Sequence, residues 1–333
     1  MKYSVKIIIP FYKETLKDWE KAALANNMEK LSNYPVVFLK PEGLNISSYE
    51  QACPQAETIS VSTDWLGTKR GIAGYNEMMM SEAFYQLFSD CEYILICHTD
   101  AWIFRDDLSA WCQKGYDLIA APWPTRPRYR HFPMKQFIQL KKWLFSSPEK
   151  ISRMQMYDKI GNGGLCLRKV DSFIQACRKY AREIADFNAR TDSMHNEDIF
   201  WALIPKEFHY PDVQTAIQFA FDLKPRVCYT LNHKELPMGC HGFMHKSRMN
   251  FWKPFIPCIP WPDKPAAAGK NSESAKRCFA SIPATVLWYV SNAYASKASR
   301  QADDGCFLRA DGHTSRSSHN QHILSDEESS SEK

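Results

Sequence analysis

No Cys-x-x-Cys pair occurs among the eleven cysteines of this 333-residue chain, so zinc-ribbon and thioredoxin-type chemistry have nothing to work with. The cysteines are scattered singly from Cys53 to Cys306, the usage expected of small buried hydrophobes in a reducing cytosol. A membrane span is also missing. It needs roughly 20 predominantly apolar residues, and the best run, 279–294, is short and interrupted by Pro283 and Asn292. The opening apolar run, 5–9, is too short for a signal peptide and is not followed by a small-residue cleavage site. A soluble, cytoplasmic chain is therefore expected, with 279–294 as a packing or surface-docking helix. Neither a P-loop nor a dinucleotide glycine fingerprint is present. Net charge is only +5, which argues against a nucleic-acid partner. No internal repeat is visible.

The chain has 44% hydrophobic, 13% aromatic and 24% charged residues, enough apolar material for a large buried core and too much for a disordered chain. In the first half, a β-branched run at 5–9 and further strands at 35–39, 58–61, 93–97 and 118–121 alternate with helical stretches at 16–31, 72–88 and 107–114. That alternation predicts an α/β fold with a mostly parallel sheet and right-handed crossovers. Ligands of such sheets bind beyond the carboxyl ends of the strands, which draws attention to 10–12, 62–64 and 98–100. Further on, a glycine-rich turn into a strand is expected at 161–168, a helix at 169–186, and a short helix at 197–203 capped by Asn196. From about 265 the composition turns to Ala, Ser, Lys and Asp, ending in an acidic serine tail that cannot form a core. The expected division is a main domain at 1–260, a packing segment at 261–296 and a polar, disordered tail at 297–333.

Four groups of residues carry chemistry. His98-Thr99-Asp100 ends an apolar strand, and residues two apart in an extended segment point the same way. An imidazole and a carboxylate so placed are either half of a divalent metal site or a buried polar pair closing the strand. Gly161-Asn162-Gly163-Gly164 permits close backbone approach to a ligand, or forms a tight turn. Glu197 and Asp198 place two carboxylates in a first helical turn, where the dipole favours negative charge and where one carboxylate can also serve as a general base. Cys240-His241-Gly242 supplies a histidine beside a glycine. The basic, aromatic stretch from Arg126 to Arg153 is either a solvated loop and helix or a flap facing an acceptor or an anionic membrane.

In this order the motifs resemble a GT-A-type glycosyltransferase. The run 5–12 is similar to the strand that cradles the nucleotide, and Gly71-Ile72-Ala73-Gly74-Tyr75-Asn76 to the helix start facing the diphosphate. His98-Thr99-Asp100 stands where the family has Asp-x-Asp, with His98 replacing the first acid. Gly163-Gly164 followed by Glu197-Asp198 is similar to the Gly-Gly and Glu-Asp pair of fringe-like enzymes. The chain is most similar, over 4–250, to a glycosyltransferase-like group without an assigned function. The resemblance implies a GT-A-like, Rossmann-like sheet flanked by helices. It also implies transfer of a sugar from a nucleotide-diphosphate donor to a hydroxyl of a glycan acceptor. Asp198 would be the base, giving inversion, although retention stays open. Glu197 would position hydroxyls, and Pro10, Phe11, Tyr12, Asn76, His98, Thr99, Gly163 and Gly164 would line the donor. Asp100, His241 and His98 would hold Mn2+ or Mg2+, with His98 alternatively bonding the donor. A degenerate scaffold that binds nucleotide or glycan without turnover is the rival reading. The helix start should lower the Asp198 pKa, and a bound donor should raise it again. The tail from 297 should be dispensable for catalysis.

Overall fold

The β-branched run at Val5, Ile7, Ile8 and Ile9 forms β1 (Tyr3–Pro10), and its alternation decides how the molecule is layered. In the computed structural model, which describes residues 3–145, 151–190 and 192–261, Val5, Ile7 and Ile9 enter one core while Ile8 enters another. The same split recurs along the later strands. Phe38, Leu95 and Leu167 join the first core, and Val37, Ile94, Ile96 and Cys166 the second. A sheet with period-two side chains and both faces buried must be covered by helices on both sides.

The elements in order are α1 (Asp18–Lys30), β2 (Val36–Pro41), α2 (Ser47–Ala52), β3 (Glu57–Val61), α3 (Gly71–Met79), α4 (Glu82–Gln86) and β4 (Cys91–Cys97). Next come β5 (Ala101–Ile103), α5 (Leu108–Gln113), β6 (Leu118–Ala120), α6 (Met134–Phe145), β7 (Leu165–Lys169), α7 (Val170–Lys179) and α8 (Ala181–Asn188). The last are α9 (Glu197–Leu203), α10 (Val213–Phe219), β8 (Ala220–Phe221), α11 (Pro225–Leu231), β9 (Gly239–His241) and α12 (Met249–Trp252). Helices α1 and α5 cover the first face, and α3, α4, α7 and α9 the second.

The main sheet runs β3-β2-β1-β4-β7-β6. β1 through β4 are mutually parallel, as expected, whereas β7 is antiparallel to both β4 and β6. A second sheet, β5-β9-β8, was not foreseen; its strands have only two or three residues, too few to show periodicity. Its place matters, because only His98, Thr99 and Asp100 separate β4 in the large sheet from β5 in the small one.

Two expected helices are each divided. The stretch 72–88 breaks into α3 and α4, with Ser81 extended between them. The carbonyl of Met79 accepts from Tyr85 Oη at 2.7 Å and from Trp201 Nε1 at 3.1 Å, which ties the break to the core. The stretch 169–186 divides at Tyr180, where φ −104° and ψ 26° leave the helical region. No helix among the described residues is long and apolar enough to cross a membrane. The expectations for the packing segment and the polar tail, Trp261 apart, lie outside the described residues.

Candidate active site

The small sheet builds the first half of the site. Ala101 of β5 pairs with His241 of β9, and the Gly242 N–H donates to the Asp100 carbonyl at 3.0 Å, so the ladder sets His241 beside Asp100. His98 is fixed from the other side, its N–H donating to the Gly164 carbonyl at 2.9 Å. One ligand atom from each of His98, Asp100 and His241 falls within 4.8 Å of the others. His241 Nε2 lies 3.1 Å from Asp100 Oδ1, and His98 Nε2 shares a 2.8 Å hydrogen bond with Tyr75 Oη. His241 Nδ1 is buried without a hydrogen-bond partner, 3.7 Å from Asp222 Oδ1.

The charges in this cluster are set against one another. Burial works against the His241 imidazolium, but the Asp100 and Asp222 carboxylates outweigh it and lift its pKa to about 10. Burial likewise disfavours the Asp100 carboxylate, yet His241 holds it well below the usual carboxylate range. His98 is pushed down to about 4 by burial and then by the neighbouring His241 charge, so it is neutral at pH 7. Two imidazoles and a carboxylate are a plausible donor set for a divalent ion. His98 also has a second partner of the kind that orients metal ligands, Tyr75, and the unpartnered His241 Nδ1 faces the Asp222 carboxylate at 3.7 Å. The residues fit a metal.

The glycine strip joins this cluster to the acid pair. A Cβ on Gly164 would lie 2.1 Å from His241 Nε2, one on Gly163 2.3 Å from Glu197 Oε1, and one on Gly161 2.9 Å from the Asp198 carbonyl. Four successive residues, spanning at most about 11 Å, thus lie against the His241 ring at one end and the Asp198 main-chain carbonyl at the other. Asn162 secures the strip: its Oδ1 accepts from the Gly164 N–H at 3.0 Å, and its Nδ2 donates to Asp222 at 2.7 Å. Gly164→Ala should displace the His241 ring. A loss of about 1–3 kcal/mol in denaturant unfolding, with a shifted His241 imidazole resonance, is the expected result.

The acid pair divides into two environments. Glu197 is 3% exposed and accepts from Arg168 Nη2 at 2.8 Å, an ion pair enclosed on both sides. Its Oε2 is therefore committed to Arg168, while Oε1 lies against Gly163. Asp198, only partly buried, accepts from its neighbour's N–H, Ile199, at 2.9 Å. Burial and the Glu197 charge lift its carboxyl to about 7. The helix start was expected to lower this pKa; desolvation and the adjacent anion outweigh it. Asn196 occupies the cap position without capping, and Asn76 Oδ1 takes the Glu197 N–H instead, at 3.1 Å.

The expected donor residues fare unequally. Tyr12 lines a 270 Å³ pocket with Glu42, Gly43, Leu44, Thr63 and Lys69, beyond the ends of β1, β2 and β3. Its hydroxyl also feels the cluster: partial burial, Asp100 and Glu20 raise it to about 12. Pro10 ends β1. The Phe11 ring is packed in the core against Phe38 and Tyr49, so it cannot contact a ligand. Thr99 is buried, its hydroxyl 3.4 Å from Glu20. Asn76 spends its amide on Asn196 and Glu197. Gly74 serves packing, since a Cβ there would strike the Asp64 carbonyl at 2.1 Å.

Residues 55–241 match the model of a family described as protein of unknown function, DUF5672. The chain belongs to this family. The matched span ends on His241 and contains His98, Asp100, the glycine strip and the acid pair, so the whole cluster lies within the DUF5672 region. No curated protein matches the chain in sequence. Among solved structures, mouse xyloside xylosyltransferase 1 in its apo form is similar at 12% identity and TM-score 0.44, covering 73% of this chain and 98% of that one. The galactosyltransferase LgtC, with donor and acceptor sugar analogues, is similar at 12% identity and TM-score 0.47, covering 78% and 98%. Core-mannan synthase A from Aspergillus fumigatus, in a Mn/GDP form, is similar at 11% and 0.37, covering 61% and 70%. Likenesses this distant carry no argument about activity, which rests on this chain's own residues.

Proposed function

We propose that this protein transfers a sugar from a nucleotide-diphosphate donor to a hydroxyl acceptor, on a GT-A-like scaffold. The observation that carries the reading is the glycine strip: it bears on His241 of the His98–Asp100–His241 cluster at one end and on the Asp198 main chain at the other. The nucleoside would enter the pocket lined by Tyr12, at the carboxyl ends of parallel strands where ligands of such sheets bind.

His98, Asp100 and His241 would hold the divalent ion, which neutralises charge on the leaving diphosphate when bound. Two imidazoles favour Mn2+ over Mg2+, which prefers an all-oxygen shell. Asp198 has the pKa of a base working near neutrality and would take the proton of the attacking hydroxyl. Attack on the face opposite the diphosphate would then invert the anomeric centre. Glu197, held by Arg168, would act as a positioning residue through its charge on Asp198.

The test is a panel of nucleotide sugars with manganese, read by nucleotide release. Asp100→Asn should weaken manganese binding by about a hundredfold or more and abolish release, while the chain still unfolds cooperatively. A variant that binds manganese as the parent does refutes the cluster as a metal site. Binding of donor without release by the parent supports the rival non-catalytic reading, which His98 in place of an acid favours.

A further inference from the structure

A second groove, of about 580 Å³, lies between the connection from β6 to α6 and the start of α11. Its wall brings Arg126, Arg128, Lys224 and Arg226 together with Ser247 and Asn250, and no carboxylate lines it. The nearby acid, Asp158, is already held by Thr125 at 2.7 and 2.9 Å and by Arg130 at 3.3 Å. Among the described residues none of the four cations of the groove has an ion-pair partner. Lys224 donates to the Pro124 carbonyl at 2.9 Å, which fixes its ammonium at the wall. Burial, and after it the charge of Arg126, lower its pKa, with Asp158 acting weakly the other way. An entering anion would relieve that repulsion, and guanidinium forks suit the oxygens of a phosphate.

Both walls continue segments that build the active site. Lys224 follows Asp222 by two residues, and Asp222 joins Asn162 of the glycine strip to Arg248, the neighbour of Ser247. Pro124 follows Trp123, whose ring would meet a Cβ on Gly161 at 2.6 Å. The groove is thus tied to the strip through Asp222 on one wall and Trp123 on the other.

We propose that this groove binds a phosphate-class oxyanion, an ester carried by the acceptor. Oxyanion binding stands on the groove alone, while its assignment to the acceptor rests on the glycosyl-transfer reading. Calorimetry on the full chain with glucose-6-phosphate, inorganic phosphate and glucose tests it. Glucose-6-phosphate should bind saturably, better than inorganic phosphate, and glucose should not. The double variant Arg126→Gln/Arg226→Gln changes two exposed side chains. It should weaken glucose-6-phosphate binding by about tenfold or more and leave manganese affinity unchanged. Absence of saturable binding in the parent, or parental affinity in the double variant, overturns the proposal. Equal affinity for inorganic phosphate overturns the assignment to an ester. Binding only to vesicles of equal parts phosphatidylcholine and phosphatidylserine would make the groove a membrane contact and also overturn it. Oxyanion binding by a parent that releases no nucleotide from any donor would leave the groove standing and fail the transferase reading.

Discussion

Asp198→Asn is expected to slow turnover by about a hundred- to ten-thousandfold and, above pH 7, to raise the melting temperature over that of the parent. Both effects come from one property. The folded chain holds the Asp198 proton to about pH 7, against an ordinary value of 3.8. A carboxyl whose folded pKa is raised costs stability as pH climbs from the unfolded value through the folded one, because the unfolded chain ionises first. Asparagine is neutral throughout and its carbonyl can still accept from Ile199. The stabilisation should therefore be absent below about pH 4, grow between pH 4 and 7, and stay level above. Thermal unfolding across that range, in parallel with nucleotide release, checks it. A variant with lower stability at pH 8 would mean the carboxylate is used structurally, and normal turnover would remove Asp198 from the chemistry.

Most strands of the main sheet were legible because they carry contiguous apolar runs bounded by turn residues, and the cores place those runs on both faces of the sheet. The antiparallel direction of β7 was not legible, since periodicity carries no direction and β7 is reached through a long connection that includes α6. Among the site residues, His98 and Asp100 were visible as polar groups ending an apolar strand. Asp222 follows the apolar run of α10 and β8 in the same way, in Phe219-Ala220-Phe221-Asp222, and that signal went unused. Arg168 could not have been read at all: it looked like the polar end of a strand, and only packing reveals a guanidinium that is 1% exposed. The environment that separates Glu197 from Asp198 is likewise a property of tertiary enclosure, invisible in two adjacent acids.

Replacing Glu197 by glutamine should cost about 3–5 kcal/mol and move the pH dependence of activity. Arg168 gives Nη2 to Glu197 at 2.8 Å, Nη1 to the Tyr85 hydroxyl at 2.7 Å and Nε to Cys166 at 3.2 Å, all within the core. Removing the anion leaves a guanidinium with no counter-charge and no water, which is the costly way to break such a pair. The double change Arg168→Met/Glu197→Leu removes both charges and should recover most of the loss. Stability alone would not distinguish a positioning role from a purely structural one; the pH profile does. The Glu197 charge is, after burial, the largest influence raising the Asp198 pKa. Without it that pKa falls, so the acid limb of kcat/KM should move to lower pH in Glu197→Gln and in the double variant. The single variant, with Arg168 still charged nearby, should show the larger shift. An unmoved acid limb in both would mean that the enclosed pair holds the fold together and does nothing to the base above it.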